Sequence, residues 1–288
     1  MRFGLFTKQK LAYYSYPRSN DANGGNSATI EQEALIAKKN KEKAYFPQDK
    51  KEMDADKATL EFYRDLEAMK KAEVVHFVWR YPDPDLLFEL GMAVALGKKI
   101  VIDNEVERTQ GKSHSNVILD IAGGKTALPE QIKNNTKSFI DDRSEFMICP
   151  VRNAPQEIVE RLREHKKSFE RKGGSSYYPG DQTEQVDPEG GINIVRQNLA
   201  KMMEVAGVQI FWTGSTGSLF DLGTAFALGK DIINVVSISS ENGVAVLSNV
   251  KMTTGGSYEN LMLKLNGDFR EKVSAREGAI LDLMSYLR

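Results

Sequence analysis

Cysteine is nearly absent: Cys149 is the only one in 288 residues, which excludes an internal disulfide and a cysteine-rich zinc site. Histidine is scarce too, at three residues, and His76, His114 and His165 are too scattered to suggest a metal centre. An excess of one charge is missing: 39 Lys plus Arg against 40 Asp plus Glu leave a net charge of −1. No global field therefore draws the chain to a nucleic-acid backbone or an anionic membrane. No apolar run approaches the roughly 20 residues needed to span a bilayer. The N-terminal Met-Arg-Phe-Gly-Leu-Phe-Thr-Lys also lacks the longer apolar stretch and cleavage site of a signal peptide. These absences describe a chain expected in the cytoplasm, with neither nucleic acid nor membrane among its partners. With 41% hydrophobic and 27% charged residues, the composition is that of a globular protein long enough for two domains or one large one.

What the chain does have is an internal repeat. The segment Leu87–Lys98, LFELGMAVALGK, returns 132 positions later as Leu219–Lys230, LFDLGTAFALGK. At the same offset Tyr45-Phe46-Pro47 and Asp49 meet Tyr177-Tyr178-Pro179 and Asp181, and Arg64 meets Arg196. Leu66, Met69 and Trp79 match Leu199, Met202 and Trp212 after a one-residue slip. So many matches in one order indicate an internal duplication.

Each half then reads alike. Strands are expected at Arg2–Thr7 and Glu145–Cys149, helices at Ala28–Lys41 and Pro155–Arg171, short aromatic strands at Ala44–Phe46 and Ser176–Tyr178, and amphipathic helices at Lys57–Lys71 and Ile192–Val205. Apolar strands follow at Val74–Trp79 and Val208–Trp212, then the repeated helices, then strands at Lys99–Ile102 and Asp231–Val236. Continuously apolar strands alternating with helices indicate a parallel sheet covered on both faces. The expected fold class is α/β: two flavodoxin-like (Rossmann-like) parallel-sheet lobes packed as a pseudo-dimer. Lobe one is expected at 1–143 and lobe two at 144–288, with the boundary near Asn135–Ser144.

In open α/β sheets ligands bind beyond the carboxyl ends of the strands. That singles out the loop from Arg80 to Asp85, leading to the helix of Glu89, and the loop from Thr213 to Ser218, leading to the helix of Asp221. A glutamate at a helix N-terminus stays ionised and is a usable nucleophile, though its plainer role there is to complement the helix dipole. Asp83, six residues earlier, can accept a hydrogen bond from a sugar hydroxyl or simply cap the turn. Ser215, Gly217 and Ser218 let backbone amides approach a phosphate, or form a capped turn. Asp83 and Asp85 would repel a phosphate at the equivalent place, so the lobes should differ in ligand. Trp79 and Trp212 end equivalent strands, where an indole can stack on a base or pack in the core.

The strand, the Asp or Ser loop and the Phe-Glu-Leu-Gly-x-Ala-x-Ala-Leu-Gly-Lys helix together resemble the nucleoside 2-deoxyribosyltransferase family, including its nucleotide N-glycosidase branch. In lobe two Cys149-Pro150-Val151-Arg152, Tyr178 through Thr183, Asp187, Asn198 and Gly217 through Gly223 lie in that family's order. The resemblance implies that Glu89 is the nucleophile and Asp83 the sugar-orienting acid. It places Asp221 at the matched nucleophile position of lobe two and matches Ser215 to the serine of relatives that accept 5′-phosphates. It also brings Asp181 and Asn198 to the substrate site. Two departures stand out: Phe6-Thr7-Lys8 replaces the family's Gly-Pro after the first strand, and Asp221 is one methylene shorter than a glutamate. Either lobe could therefore be degenerate.

The function so implied is transfer or hydrolysis of the 2-deoxyribosyl group of a deoxynucleoside or its 5′-monophosphate through a carboxylate nucleophile, with no metal or cofactor. The alternatives are a nucleotide-binding or sensing protein without turnover, and an NAD glycohydrolase. The partner is a small nucleoside or nucleotide, and assembly into a homo-oligomer is left open. Other signals are discounted. Gly123-Gly124-Lys125-Thr126 lacks the earlier glycine of a phosphate loop, having Leu119 there. His76 reads as a core histidine, His114 and His165 as surface residues, Cys149 as structural, and the Lys38–Lys51 and Glu160–Lys172 clusters as solvated helix faces.

Overall fold

The computed structural model describes residues 10–17, 25–50, 53–128, 141–253 and 255–286. Two sheets organise them. The first has the strand order β2-β1-β3-β4, built from β1 (Leu11–Ser15), β2 (Lys43–Tyr45), β3 (Val74–Phe77) and β4 (Lys99–Ile102). The second runs β6-β5-β7-β8-β9, from β5 (Asp141–Ile148), β6 (Ser175–Tyr177), β7 (Val205–Trp212), β8 (Asp231–Glu241) and β9 (Val244–Asn249). All pairs are parallel except β8 with β9. The first four strands of each sheet follow one order, as expected of two Rossmann-like lobes. Tyr13 lies opposite Tyr45 on one side and Val75 on the other, and Phe146 lies opposite Tyr177 and Val208. The stacked ring pairs Tyr13–Tyr45 and Phe146–Tyr177 both have centroids 5.4 Å apart.

Helices cover the sheets: α1 (Gly25–Asn40), α2 (Ala55–Lys71), α3 (Pro84–Ala95) and α4 (His114–Ala122) belong to the first half. The second half supplies α5 (Gln156–Arg171), the short α6 (Pro179–Gln182), α7 (Ile192–Glu204), α8 (Thr216–Ala227) and α9 (Tyr258–Tyr286). None of the described helices is long and apolar enough to cross a membrane. The second sheet begins at Asp141, just ahead of the expected 143/144 boundary.

The repeated motif becomes α3 and α8, and its sequence explains its shape. Asp83 and Ser215 cap the two N-termini through their side chains. Each helix ends at a glycine in the left-handed region, Gly97 (φ 61°) and Gly229 (φ 65°), where other residues are strained. The lysine that follows reaches back to close the preceding helix: Lys98 Nζ donates to the carbonyls of Lys70 and Ala72, and Lys230 Nζ to those of Met203 and Val205. The two helices press together backbone on backbone at Gly91 and Gly223, where an added Cβ would lie 2.1 Å from the Phe220 carbonyl oxygen and 2.0 Å from that of Phe88. One continuous core runs from Tyr13 through both helices to Met262.

Two expectations need correction. The strand expected at Arg2–Thr7 lies outside the described residues, and the strand between β2 and β3 is Leu11–Ser15. Its tyrosines pack well in a sheet but read as less apolar than the Phe-Gly-Leu-Phe upstream. The residues after this strand are Tyr16-Pro17, the counterpart of Cys149-Pro150, so the departure read at Phe6-Thr7-Lys8 does not describe this strand end. The other correction concerns Lys50, which is not solvated: it is 4% exposed and paired with buried Asp65 at 2.5 Å.

Candidate active site

In lobe one, α3 follows the carboxyl end of β3, and β1 runs beside β3. Asp83 caps α3: its Oδ1 accepts the amides of Asp85 at 3.0 Å and Leu86 at 3.1 Å. Glu89 stands in the second turn, beyond the first-turn reach of the helix dipole, so a different group must hold it. That group is Ser15 at the end of β1, whose hydroxyl donates to Glu89 Oε2 at 2.5 Å. Both carboxylates are buried, Glu89 at 2% and Asp83 at 4% exposure. Asp85 accepts a hydrogen bond at 2.5 Å from Tyr258 of α9 in the other half, and the Tyr258 ring packs on Phe88 at 5.1 Å.

In lobe two, Ser215 Oγ accepts the Ser218 amide at 3.2 Å and bonds the buried Ser218 hydroxyl at 2.8 Å. Gly217 is open, with nothing within 4 Å of an added Cβ. A cavity of about 270 Å³ lies against this helix start, lined by Ser215, Thr216, Gly217 and Asp221 of lobe two and by Lys112 and His114 of lobe one. Burial raises the Asp221 carboxyl from its ordinary value to about 7. Asn198 lines the same cavity and accepts from Thr183 Oγ1 at 2.8 Å, which in turn bonds the Tyr177 hydroxyl at 2.7 Å.

The remaining expected residues are placed elsewhere. Asp181 is gripped by Arg163 on the outside, at 2.7 Å, and is not among the residues lining the cavity. Trp79 and Trp212 are 5% and 6% exposed and belong to the core. Their indole N–H groups donate to Ser115 at 3.0 Å and to Glu259 at 2.6 Å. Asp187 accepts the amides of Glu189, Gly191, Asn193 and Ile194, which shapes the loop before α7. Gly123 closes α4 instead of opening a helix, which agrees with discounting a phosphate loop there. His76 is buried, with Nδ1 2.9 Å from Asp103. Among the described residues no three His, Cys, Asp or Glu side chains gather to hold a metal ion.

His114 corrects an expectation. It is not a surface residue: it lines the cavity and packs on Phe220 at 5.3 Å. Burial lowers its pKa to about 4, so the imidazole is neutral at pH 7. The sequence held a signal for this wall. Thr109-x-Gly111-x-Ser113-x-x-Asn116 recurs as Thr253-x-Gly255-x-Ser257-x-x-Asn260. In both copies the asparagine Nδ2 donates to the carbonyls of the Thr and the Gly, and its Oδ1 accepts the Thr amide. Each copy hands an aromatic ring to the opposite lobe, His114 onto Phe220 and Tyr258 onto Phe88.

Comparison with known proteins adds one finding: the family model described as nucleoside 2-deoxyribosyltransferase matches residues 23–128. No curated protein and no solved structure matches the chain. The matched span contains Asp83 and Glu89, while the lobe-two residues of the resemblance, from Cys149 to Gly223, lie outside it. The similarity to the nucleoside 2-deoxyribosyltransferase family thus extends over residues 23–128 of this chain.

Proposed function

We propose that lobe one cleaves the N-glycosidic bond of a 2′-deoxynucleoside with Glu89 as nucleophile. The observation that carries this reading is the Ser15–Glu89 hydrogen bond, which fixes a buried carboxylate at the carboxyl edge of the sheet inside the family-matched span. Glu89 attacks the anomeric carbon as the bond to the base breaks, and the oxocarbenium-like charge is neutralised as a sugar–enzyme ester forms. A second base or water then attacks the same carbon and releases Glu89, so transfer and hydrolysis share the ester. Asp83, held by two amides, is the acceptor for a sugar hydroxyl. With Asp83 and Asp85 at the helix start, lobe one suits a nucleoside better than its 5′-monophosphate. The two lobes are read as copies of one unit, a reading supported by their common strand order and the repeated motif.

The test is incubation with a panel of deoxynucleosides, with and without free base, followed by chromatography of the bases. NAD belongs in the same panel. Glu89→Gln should lower turnover on the order of a thousandfold or more, and Asp221→Asn should leave most of it. The reverse ranking would move the reaction to lobe two.

A further inference from the structure

The outer face of the first sheet, turned away from Glu89, holds buried titratable groups that the proposed reaction does not use. Successive side chains of a strand point to opposite faces: Ser15 of β1 turns to Glu89, and Tyr14 turns to His76, ring on ring at 4.5 Å. His76 of β3 is the centre of the group. Its Nδ1 lies 2.9 Å from Asp103, just past β4, and its Nε2 lies 3.3 Å from Glu42, just ahead of β2. Tyr14 donates its hydroxyl to the same Glu42 oxygen at 2.8 Å. Glu33 reaches down from α1 and is hydrogen-bonded to Asp103. Among the described residues these are the titratable groups that act on one another here, three carboxyls and a phenol around one imidazole.

The geometry calls for protons. Two carboxyl groups share a hydrogen bond only when one of them carries a proton, so the Glu33–Asp103 contact cannot form between two ionised groups. Glu33 is 2% exposed and its Oε2 has no hydrogen-bond partner, a place where an ionised carboxylate is costly. His76 Nε2 is also buried without an aligned acceptor, so Glu42 holds it by charge. The burial pattern of α1 adds the mechanical link. Among its described side chains only Glu33 and Ala37 are buried, so the largest group with which this helix enters the sheet face is a carboxyl. The matching α5 of lobe two is held by Ile158 and Leu162 instead. Lobe two also has the neutral Gln209 at the register of His76, because Val75 lies opposite Tyr13 as Val208 lies opposite Phe146.

We propose that this cluster is a proton-operated clamp: a proton held between Glu33 and Asp103, with a second on His76, fastens α1 to the first sheet, and loss of these protons loosens the helix while both lobes stay folded. Burial first, and then the neighbouring Asp103, raises the Glu33 carboxyl from 4.5 to about 7. Burial presses the His76 pKa down, but Asp103, Glu42 and Glu33 outweigh it and hold the imidazolium above its ordinary 6.5. Burial and then Glu42 push the Tyr14 phenol up, so it stays neutral. Glu33 and His76 therefore both bind their protons more tightly with α1 docked than with it open. The Glu33 share of the docking is complete below about pH 4.5 and is lost as the pH rises through 7, and the His76 share is complete below 6.5 and is lost above it. The clamp closes on acidification. It does not rest on Glu89 being a nucleophile, because it lies on the other face of the sheet.

The experiment is hydrogen–deuterium exchange of the full chain at pH 5, 6 and 7, read by mass spectrometry of peptides from α1 and α5 and corrected for the intrinsic rate at each pH. A single proton released on opening changes protection by up to about tenfold per pH unit, so between pH 5 and 7 α1 should lose at least about tenfold more protection than α5. Glu33→Gln offers Asp103 an amide donor that does not titrate. It should cut the extra loss in α1 to about threefold or less and leave α5 with the profile of the parent. Should that variant fail to fold by circular dichroism, the comparison of α1 with α5 in the parent decides alone. The proposal is overturned if α1 and α5 of the parent lose protection alike, if α1 loses none, or if folded Glu33→Gln follows the parent.

Discussion

The contact between α3 and α8 gives the sharpest test of the architecture. An alanine at position 223 would place its Cβ 2.0 Å from the Phe88 carbonyl oxygen, 2.8 Å from its carbon and 3.1 Å from its Cα. All three atoms are backbone, so no side chain can swing aside. Ordinary contact begins near 3.4 Å, so the contact must open by about 1.4 Å, more than the roughly 0.5–1 Å gap that already forfeits a quarter to a half of a dispersion contact. Overpacking of this kind costs about 1–3 kcal/mol, and a rigid backbone neighbour puts the cost at the upper end. Helix propensity offsets about 1 kcal/mol, since alanine is the better helix former. The net loss of about 2 kcal/mol should lower the Tm by about 4–8 °C, read by circular dichroism, and Gly91→Ala should do the same. Gly267 in α9 is the control: an added Cβ there meets nothing within 4 Å, so Gly267→Ala should hold or raise the Tm. Gly223→Ala melting with the parent protein would refute the close crossing and with it the placement of the two lobes.

Two further outcomes follow from buried charges. Lys50 and Asp65 are paired at 2.5 Å with side chains 4% and 2% exposed, so Asp65→Ala should cost about 3–5 kcal/mol by stranding the ammonium, whereas Lys50→Met with Asp65→Leu should cost less; equal losses in chemical denaturation would contradict this. Asp221 binds its proton more tightly in the folded chain, where it titrates at about 7, than at its ordinary 3.8. Its contribution to stability is therefore complete below about pH 4 and is lost as the pH rises through 7. Asp221→Asn should remove that part of the decline between about pH 4 and 7, and an unchanged pH profile would show that the carboxyl is not desolvated as described.

The repeated helices were legible because each repeated residue has a local job: the cap, the crossing glycine, the left-handed glycine and the closing lysine all act within or beside one helix. The strands were less so. Leu11–Ser15 reads weakly as a buried strand because two tyrosines interrupt its apolar character. The strand expected to end at Val236 runs on to Glu241 and turns at Asn242-Gly243, with φ of 51° and 74°, the two-residue turn that favours a hairpin. That hairpin also hid the second repeat: the Thr-Gly-Ser-Asn loops stand 144 positions apart, not 132, because β8 and β9 intervene before the second copy. At the site, Glu89 and Asp221 could be found from the helix motif alone. Ser15 could not, since it depends on the register of a strand placed elsewhere, and neither could His114 or Tyr258, which cross between lobes from distant parts of the chain.

The differences between the lobes are consistent with one another. Where lobe one has Ser15, Asp83, Asp65 and Glu89, lobe two has Ile148, Ser215, Asn198 and Asp221. Lobe one gathers carboxylates and needs Lys50, Ser15 and the Tyr258 hydroxyl to hold them, an arrangement that favours a cationic transition state over an anionic ligand. Lobe two keeps one of those carboxylates, as Asp221, and has the neutral Ser215 and Asn198 where lobe one has Asp83 and Asp65. Restoring one group alone should therefore not restore the chemistry. Asp221→Glu would lengthen the side chain but leave it without the hydroxyl that holds Glu89 in lobe one, while Asp221→Glu together with Ile148→Ser would supply both parts. A gain of base release confined to the double variant, measured in the Glu89→Gln background, would show that the hydroxyl at the end of the first strand decides which lobe reacts. Activity from Asp221→Glu alone would refute that.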